Sequence, residues 1–254
     1  MEQPSFEILI FLITAGFVAS FIDSVVGGGG LISVPALLAA GLPPGIALGT
    51  NKLGGTMSSL TSSLSFLLSG KMDLRLVKKW FPLSLLGSAA GAYTVRLIPP
   101  DFLKPLVIVL LITVTVYTLF KRKGPVRSGN PKLTVRTIAA GGLVALAIGY
   151  YDGFFGPGTG SFLLFAFVLL GFDFVTAAGN AKALNLASNA GSLAVFAGMG
   201  YINFYYGVPM ALAMIAGALI GSRVAIRKGA AYVKPLFIVI TALLIGKQLW
   251  DMLT

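Results

Sequence analysis

Long apolar runs separated by short polar or glycine-rich stretches dominate the chain. They cover 6 to 22, 31 to 42, 46 to 69, 77 to 98 and 102 to 120, and, after a polar interval, 135 to 151, 161 to 171, 175 to 199, 206 to 225 and 232 to 250. An α-helix needs about 20 residues to cross a hydrocarbon core of about 30 Å. Most of the runs approach that length, and none has the strict alternation of a transmembrane barrel strand. Two are too short: 31 to 42 holds 12 residues, about 18 Å at a rise of 1.5 Å per residue, and 161 to 171 is shorter still. Each follows a glycine-rich break, Gly27-Gly28-Gly29-Gly30 in one case and Gly156-Pro157-Gly158-Thr159-Gly160-Ser161 in the other. The pattern predicts an all-α integral membrane protein in which these two segments are half-helices entered through broken backbone.

The polar interval from Lys121 to Thr134 is basic and interrupted by Gly124, Pro125, Gly129 and Pro131, as a linker between two units would be. It separates residues 1–120 from 135–254, each with about five segments. Asp23 and Gly27 fall on Asp152 and Gly156 at an offset of 129. At 130, Gly41, Ala47, Gly49, Lys52, Ser58, Ser62, Phe66 and Gly70 fall on Gly171, Ala177, Gly179, Lys182, Ser188, Ser192, Phe196 and Gly200. Gly87 and Gly91 fall on Gly217 and Gly221, and Lys104-Pro105 on Lys234-Pro235, in the same register. The halves therefore read as two copies of one unit.

Composition agrees with the pattern. Apolar residues make up 56% of the chain and charged ones 11%, with a mean hydropathy of +0.91, far from the roughly 25% charged of a soluble domain. There is no cysteine and no histidine, which removes disulfides, thiolate metal sites and the commonest general base. No GxxxxGK[ST] phosphate loop is present either. The expectation is a protein that is not an enzyme, with no cofactor and no metal. Met1 to Ser5 carry no basic residue before the first apolar run, which argues against a cleaved signal peptide.

The net charge of +11 does not point to nucleic acid, because the basic residues lie in loops beside apolar runs, where Lys and Arg mark the cytoplasmic side. Lys71, Arg75, Lys78 and Lys79 mark one such loop, the 121–134 linker a second, and Arg223, Arg227 and Lys228 a third. The loop from 200 to 205 and the first 51 residues contain no Lys or Arg, so the loop is placed outside and the chain begins outside. The termini are then outside and the linker inside an inner (plasma) membrane. Each half crosses an odd number of times, and the second copy lies upside down relative to the first.

Inverted repeats with interrupted helices are a transporter signature, with breaks near the midplane and half-helix N-termini aimed at anionic groups. Gly28, Gly29 and Gly30 can present backbone N–H groups at the positive end of a short helix, and Gly158, Thr159 and Ser161 offer the same plus two hydroxyls. The competing explanation of these glycines is tight turns or close packing. Packing is the reading adopted for the Gly87/Gly91 and Gly217/Gly221 pairs. Lys52 and Lys182 stand in otherwise uncharged runs, "GTNKLGG" and "GNAKALN". Each either snorkels to the headgroups or lines a polar cavity with Thr50, Asn51, Asn180, Asn185 and Asn189, as an anion would require. Asp23 and Asp152 either hold the N–H groups of the adjacent glycine break or pair with a lysine and carry a coupling proton. The function expected is a secondary carrier of a small anion within the lipid bilayer; a passive anion channel and a transporter-like membrane scaffold are the alternatives. Oligomeric state is not legible.

"FIDSVVGGGGLISVPALLAAGLPPGIALGTNKL" and "GYYDGFFGPGTGSFLLFAFVLLGFDFVTAAGNAKALNLASNAG" resemble the duplicated motifs of the TauE/SafE sulfite exporter family, over essentially the whole chain. The resemblance implies a multi-pass inner-membrane protein of bacteria or archaea, acting as an exporter of sulfite, sulfoacetate or related organosulfonates.

Overall fold

The computed structural model describes residues 6–120 and 134–228. The segment expected at 232 to 250, and the linker up to residue 133, lie outside the described residues. Nine helices form the described part: α1 Phe6–Val26, α2 Gly30–Ala39, α3 Pro44–Leu68, α4 Leu74–Val95, α5 Pro100–Phe120, α6 Val135–Phe154, α7 Thr159–Leu169, α8 Phe174–Gly198 and α9 Phe204–Lys228. The fold is all-helical there. Local sequence explains several of the helix starts. Asp73 caps α4, accepting from the N–H groups of Arg75 and Leu76 at 3.0 and 3.2 Å, and Asp173 caps α8 through Val175 and Thr176 at 3.0 and 3.1 Å. Pro44 opens α3, where its missing N–H is no loss.

The two short helices are as short as the sequence indicates, 10 and 11 residues, about 15–17 Å and half a bilayer core. Two ends differ from the sequence reading. The first apolar run stops at Ile22, but α1 continues through Asp23 to Val26, and α6 likewise carries Asp152 in its last turn before ending at Phe154. A carboxylate at a helix C-terminus is disfavoured by the macrodipole, so each acid needs a compensating cation, and each finds one outside its own half.

α3 and α8 form the centre. α3 packs on α8 and α9, and α8 on α3, α4 and α7. This explains why these two helices are both polar and buried: Lys52, Ser58 and Ser62 on α3, and Asn180, Lys182, Ser188 and Ser192 on α8, are all at most 3% exposed. The outer helices pack as two crossings, α4 on α6 and α1 on α9. Glycines set both. A Cβ at Gly87 or Gly91 would fall 2.3 Å from Leu146 O or 2.0 Å from Tyr150 O, and one at Gly217 or Gly221 would fall 2.2 Å from Phe17 O or 2.3 Å from Phe21 O. Backbones approach that closely only where there is no side chain. The outward faces are apolar, with Phe102, Leu143 and Leu212 more than 60% exposed, a cost in water and a gain in lipid. Among the described residues, α1, α6 and α9 are long and apolar enough to cross a membrane.

Candidate functional site

The two glycine breaks meet. Gly27 and Gly28 have φ of +77° and +91°, and Gly156 and Gly158 have +96° and +89°, left-handed values that a Cβ makes costly. A Cβ on Gly27 would lie 2.3 Å from Ser161 N and 2.4 Å from Gly160 C, and one on Gly30 would lie 2.9 Å from Pro157 Cα. Gly29 differs: it sits in helical conformation at φ −53°, and a Cβ there would press on Ala19 O and on Asp23 Cβ, both at 2.7 Å. Ser161 Oγ closes the contact by donating to Val26 O at 3.0 Å. The N-termini of α2 and α7 and the C-termini of α1 and α6 therefore converge on one point.

Four charges surround it, paired crosswise. Lys52 Nζ on α3 lies 2.8 Å from Asp152 Oδ1 on α6 and also donates to the Asp152 carbonyl. Lys182 Nζ on α8 lies 2.5 Å from Asp23 Oδ2 on α1. Each lysine thus meets the acid of the other half, and both are buried, at 1% and 3% exposed. The backbone helps. The last turn of α6 closes on Tyr151 O, which accepts from the N–H groups of Phe155 and Gly156 at 2.8 and 3.3 Å; the Asp152 carbonyl is left to the lysine. At the equivalent point of α1, Asp23 Oδ1 accepts the Gly29 N–H at 3.1 Å. So Asp23 both holds the glycine break and pairs with a lysine, the two roles the sequence left open.

Between the breaks lies a cavity of about 30 Å³, lined by Asp23, Gly28, Gly29, Gly30, Ser33, Asn51, Gly55, Ser58, Asp152, Gly156, Gly158, Thr159, Gly160, Asn185, Asn189 and Met214. Seven of the residues expected at a substrate site border it: Gly28, Gly29, Gly30, Asn51, Gly158, Thr159 and Asn185. The lysines do not, whereas the carboxylates they pair with do. Asn51 Oδ1 accepts from Ser33 Oγ at 2.5 Å, and Asn189 Nδ2 donates to Asn185 O at 2.8 Å.

Thr50 and Asn180, equivalent at the offset of 130, are used elsewhere. Thr50 Oγ1 accepts the Asn203 N–H ahead of α9 at 2.9 Å, and Asn180 Oδ1 accepts the Asp73 N–H ahead of α4 at 2.7 Å. Both hold the loops that follow the central helices. Ser33, Gly55 and Ser58 were not anticipated. Gly55 and Ser58 stand four and seven residues after Asn51, on one helix face, and that spacing is the signal that could have found them.

A family model for the sulfite exporter TauE/SafE matches residues 12–247. The chain is 40% identical to the probable membrane transporter protein ORF9 of Sinorhizobium over 99% of its length and 96% of the relative. It is 39% identical to a probable membrane transporter protein of Haemophilus influenzae, with 96% of each chain covered. Against the probable membrane transporter protein YfcA of Escherichia coli the figure is 36%, over 99% of this chain and 92% of that one. No solved structure matched the chain. The chain belongs to the TauE/SafE family and is a membrane transporter protein.

Proposed function

We propose that this TauE/SafE protein is a secondary carrier that exports a small sulfur-containing anion, sulfite or an organosulfonate, by alternating access around the cavity between the two breaks. The observation that carries the reading is the crosswise pairing of Lys52 with Asp152 and Lys182 with Asp23. Two buried cations at equivalent positions can serve an anion only if a carboxylate yields, and each carboxylate belongs to the opposite half. Relative movement of the halves therefore opens and closes the anion's partners. Residues 1–120 and 135–254 are the two inverted repeats in this reading. Their half-helices α2 and α7 add N-terminal dipoles to the same point. The sulfur oxyanion comes from the family's name, and the chemistry of the site suits it: amides, hydroxyls and backbone N–H groups around displaceable ammoniums.

The cavity favours a carrier over a passive channel. A volume of about 30 Å³ holds about two water molecules, fewer heavy atoms than sulfite, so an anion enters only if the walls separate. The test is flux of radiolabelled sulfite, sulfoacetate and thiosulfate into proteoliposomes. A carrier saturates, and its uptake is accelerated by the same anion loaded inside. Flux that rises linearly with concentration and ignores internal anion identifies a channel, and no flux of any anion removes the transport reading.

The orientation is tested separately. Cysteines replacing Ser5 and Tyr205 should react with an impermeant maleimide in intact cells, and one replacing Ser128 should react only after permeabilisation. Labelling of Ser128→Cys alone in intact cells would reverse the placement of the 121–134 linker on the cytoplasmic side.

A further inference from the structure

The two ion pairs occupy equivalent positions, but their surroundings differ. Asp23 uses both oxygens, Oδ2 for Lys182 and Oδ1 for the Gly29 N–H. Asp152 uses one: Oδ1 is held by Lys52, while Oδ2 is buried without a hydrogen-bond partner among the described residues. The residue is 2% exposed and borders the cavity. A buried carboxylate oxygen with no donor is costly to leave so, and a proton is the smallest group that removes the charge.

We propose that Asp152 is the proton-binding group that couples anion movement to a proton, while Asp23 is a fixed latch on the first glycine break. The inference rests on the carrier reading above. With Asp152 ionised, an anion reaching Lys52 would leave an unpaired buried carboxylate facing Asp23 across the cavity, and like charges there repel. A proton entering from water and bonding to Oδ2 neutralises Asp152, freeing the Lys52 ammonium for the anion. When the anion leaves, the O–H bond breaks, the proton departs to the same side and Lys52 pairs again. One proton and one monoanion cross together with no net charge, so export runs when the anion's outward gradient exceeds the inward proton gradient.

The groups facing Asp152 leave no other carrier of that proton. α3 presents Lys52, and α1 presents Asp23 across the cavity. α8 presents Lys182, engaged by Asp23. α4 faces this part of α6 with Gly87, Ser88 and Gly91. α2 and α7 contain no titratable side chain, and Arg223, Arg227 and Lys228 on α9 are exposed. Tyr151, next in sequence, donates its hydroxyl to Pro157 O at 2.6 Å.

The test reconstitutes wild type, Asp152→Asn and Asp23→Asn as full chains, with sulfite, sulfoacetate and ethanesulfonate as probes. It compares exchange at equal pH with accumulation driven by a gradient of one pH unit. The wild type should accumulate an exchanged monoanion to about tenfold, the ratio one coupled proton supports across one unit. Asp152→Asn, whose amide oxygen can still accept from Lys52, should lose gradient-driven accumulation in far greater proportion than exchange at equal pH, accumulating nothing beyond what the probe's own titration gives. Asp23→Asn should keep gradient-driven accumulation at a reduced rate. Accumulation by Asp152→Asn equal to wild type overturns the assignment while leaving the carrier intact. Absence of exchange in the wild type removes both. If Asp152→Asn does not fold, wild-type ethanesulfonate flux decides: it should follow the pH gradient and ignore an imposed membrane potential, and the opposite dependence overturns the proposal.

Discussion

Replacing Lys52 by alanine is expected to cost about 3–5 kcal/mol, because it strips the donor from a carboxylate that is 2% exposed and has no second partner among the described residues. The melting temperature in detergent should fall accordingly, and yield with it. The double variant Lys52→Met/Asp152→Asn should recover most of the loss, since well-packed neutral side chains commonly replace a buried pair at little or no cost. Flux should not recover, because the anion's cation is gone. Lys182→Ala should fall less far: its partner Asp23 is 14% exposed and keeps the Gly29 N–H. Lys78→Ala, on the exposed side of α4, should stay within about 0.5 kcal/mol of wild type. Melting curves and exchange on the four variants separate stability from transport. A Lys52→Ala protein that melts like wild type would mean that the pair is not the central tie between α3 and α6.

Much of this arrangement can be read in the residues. The long runs, the two short segments behind glycine breaks and the offset of about 130 all follow from hydropathy and identity, which depend only on local sequence. The contacts that share this offset extend to single atoms. A Cβ at Gly49 would meet Tyr201 O at 2.0 Å and one at Gly179 would meet Lys71 O at 2.0 Å, and each position is 130 from its counterpart.

What could not be read is which acid meets which lysine. Lys52 and Asp152 are 100 residues apart, Lys182 and Asp23 159, and no periodicity connects them. The ends of α1 and α6 were missed for the same reason: an acid looks like the end of an apolar helix until its distant cation is known. The cavity departs from the repeat, and there the differences carry the information. Asn51 stands where the second half has Ala181, and Asn185 and Asn189 stand where the first has Gly55 and Ser59. The halves differ there in their amides and in one carboxylate oxygen, Asp152 Oδ2, that has no partner among the described residues.

Alanine at Gly27 is expected to be strongly damaging to both stability and exchange. Two effects add. The left-handed φ of +77° carries a penalty of about 1–2 kcal/mol for any residue with a Cβ. The added methyl would also lie 2.3 Å from Ser161 N and 2.4 Å from Gly160 C, backbone atoms that cannot rotate away. Overpacking of that kind costs a further ~1–3 kcal/mol when neighbours can shift, and the neighbour here is the other glycine break, fixed by α7. Gly70 isolates the first effect, having φ +69° but nothing within 4 Å of an added Cβ. Gly70→Ala should therefore lower stability by about 1 kcal/mol and leave exchange near wild type. Gly27→Ala should lose several times as much and abolish exchange, since separating the breaks also moves the N-termini of α2 and α7 away from the cavity. If both variants melt together and both still exchange anion, then the meeting of the breaks is incidental, and the glycines of "GGGG" are needed for backbone conformation alone.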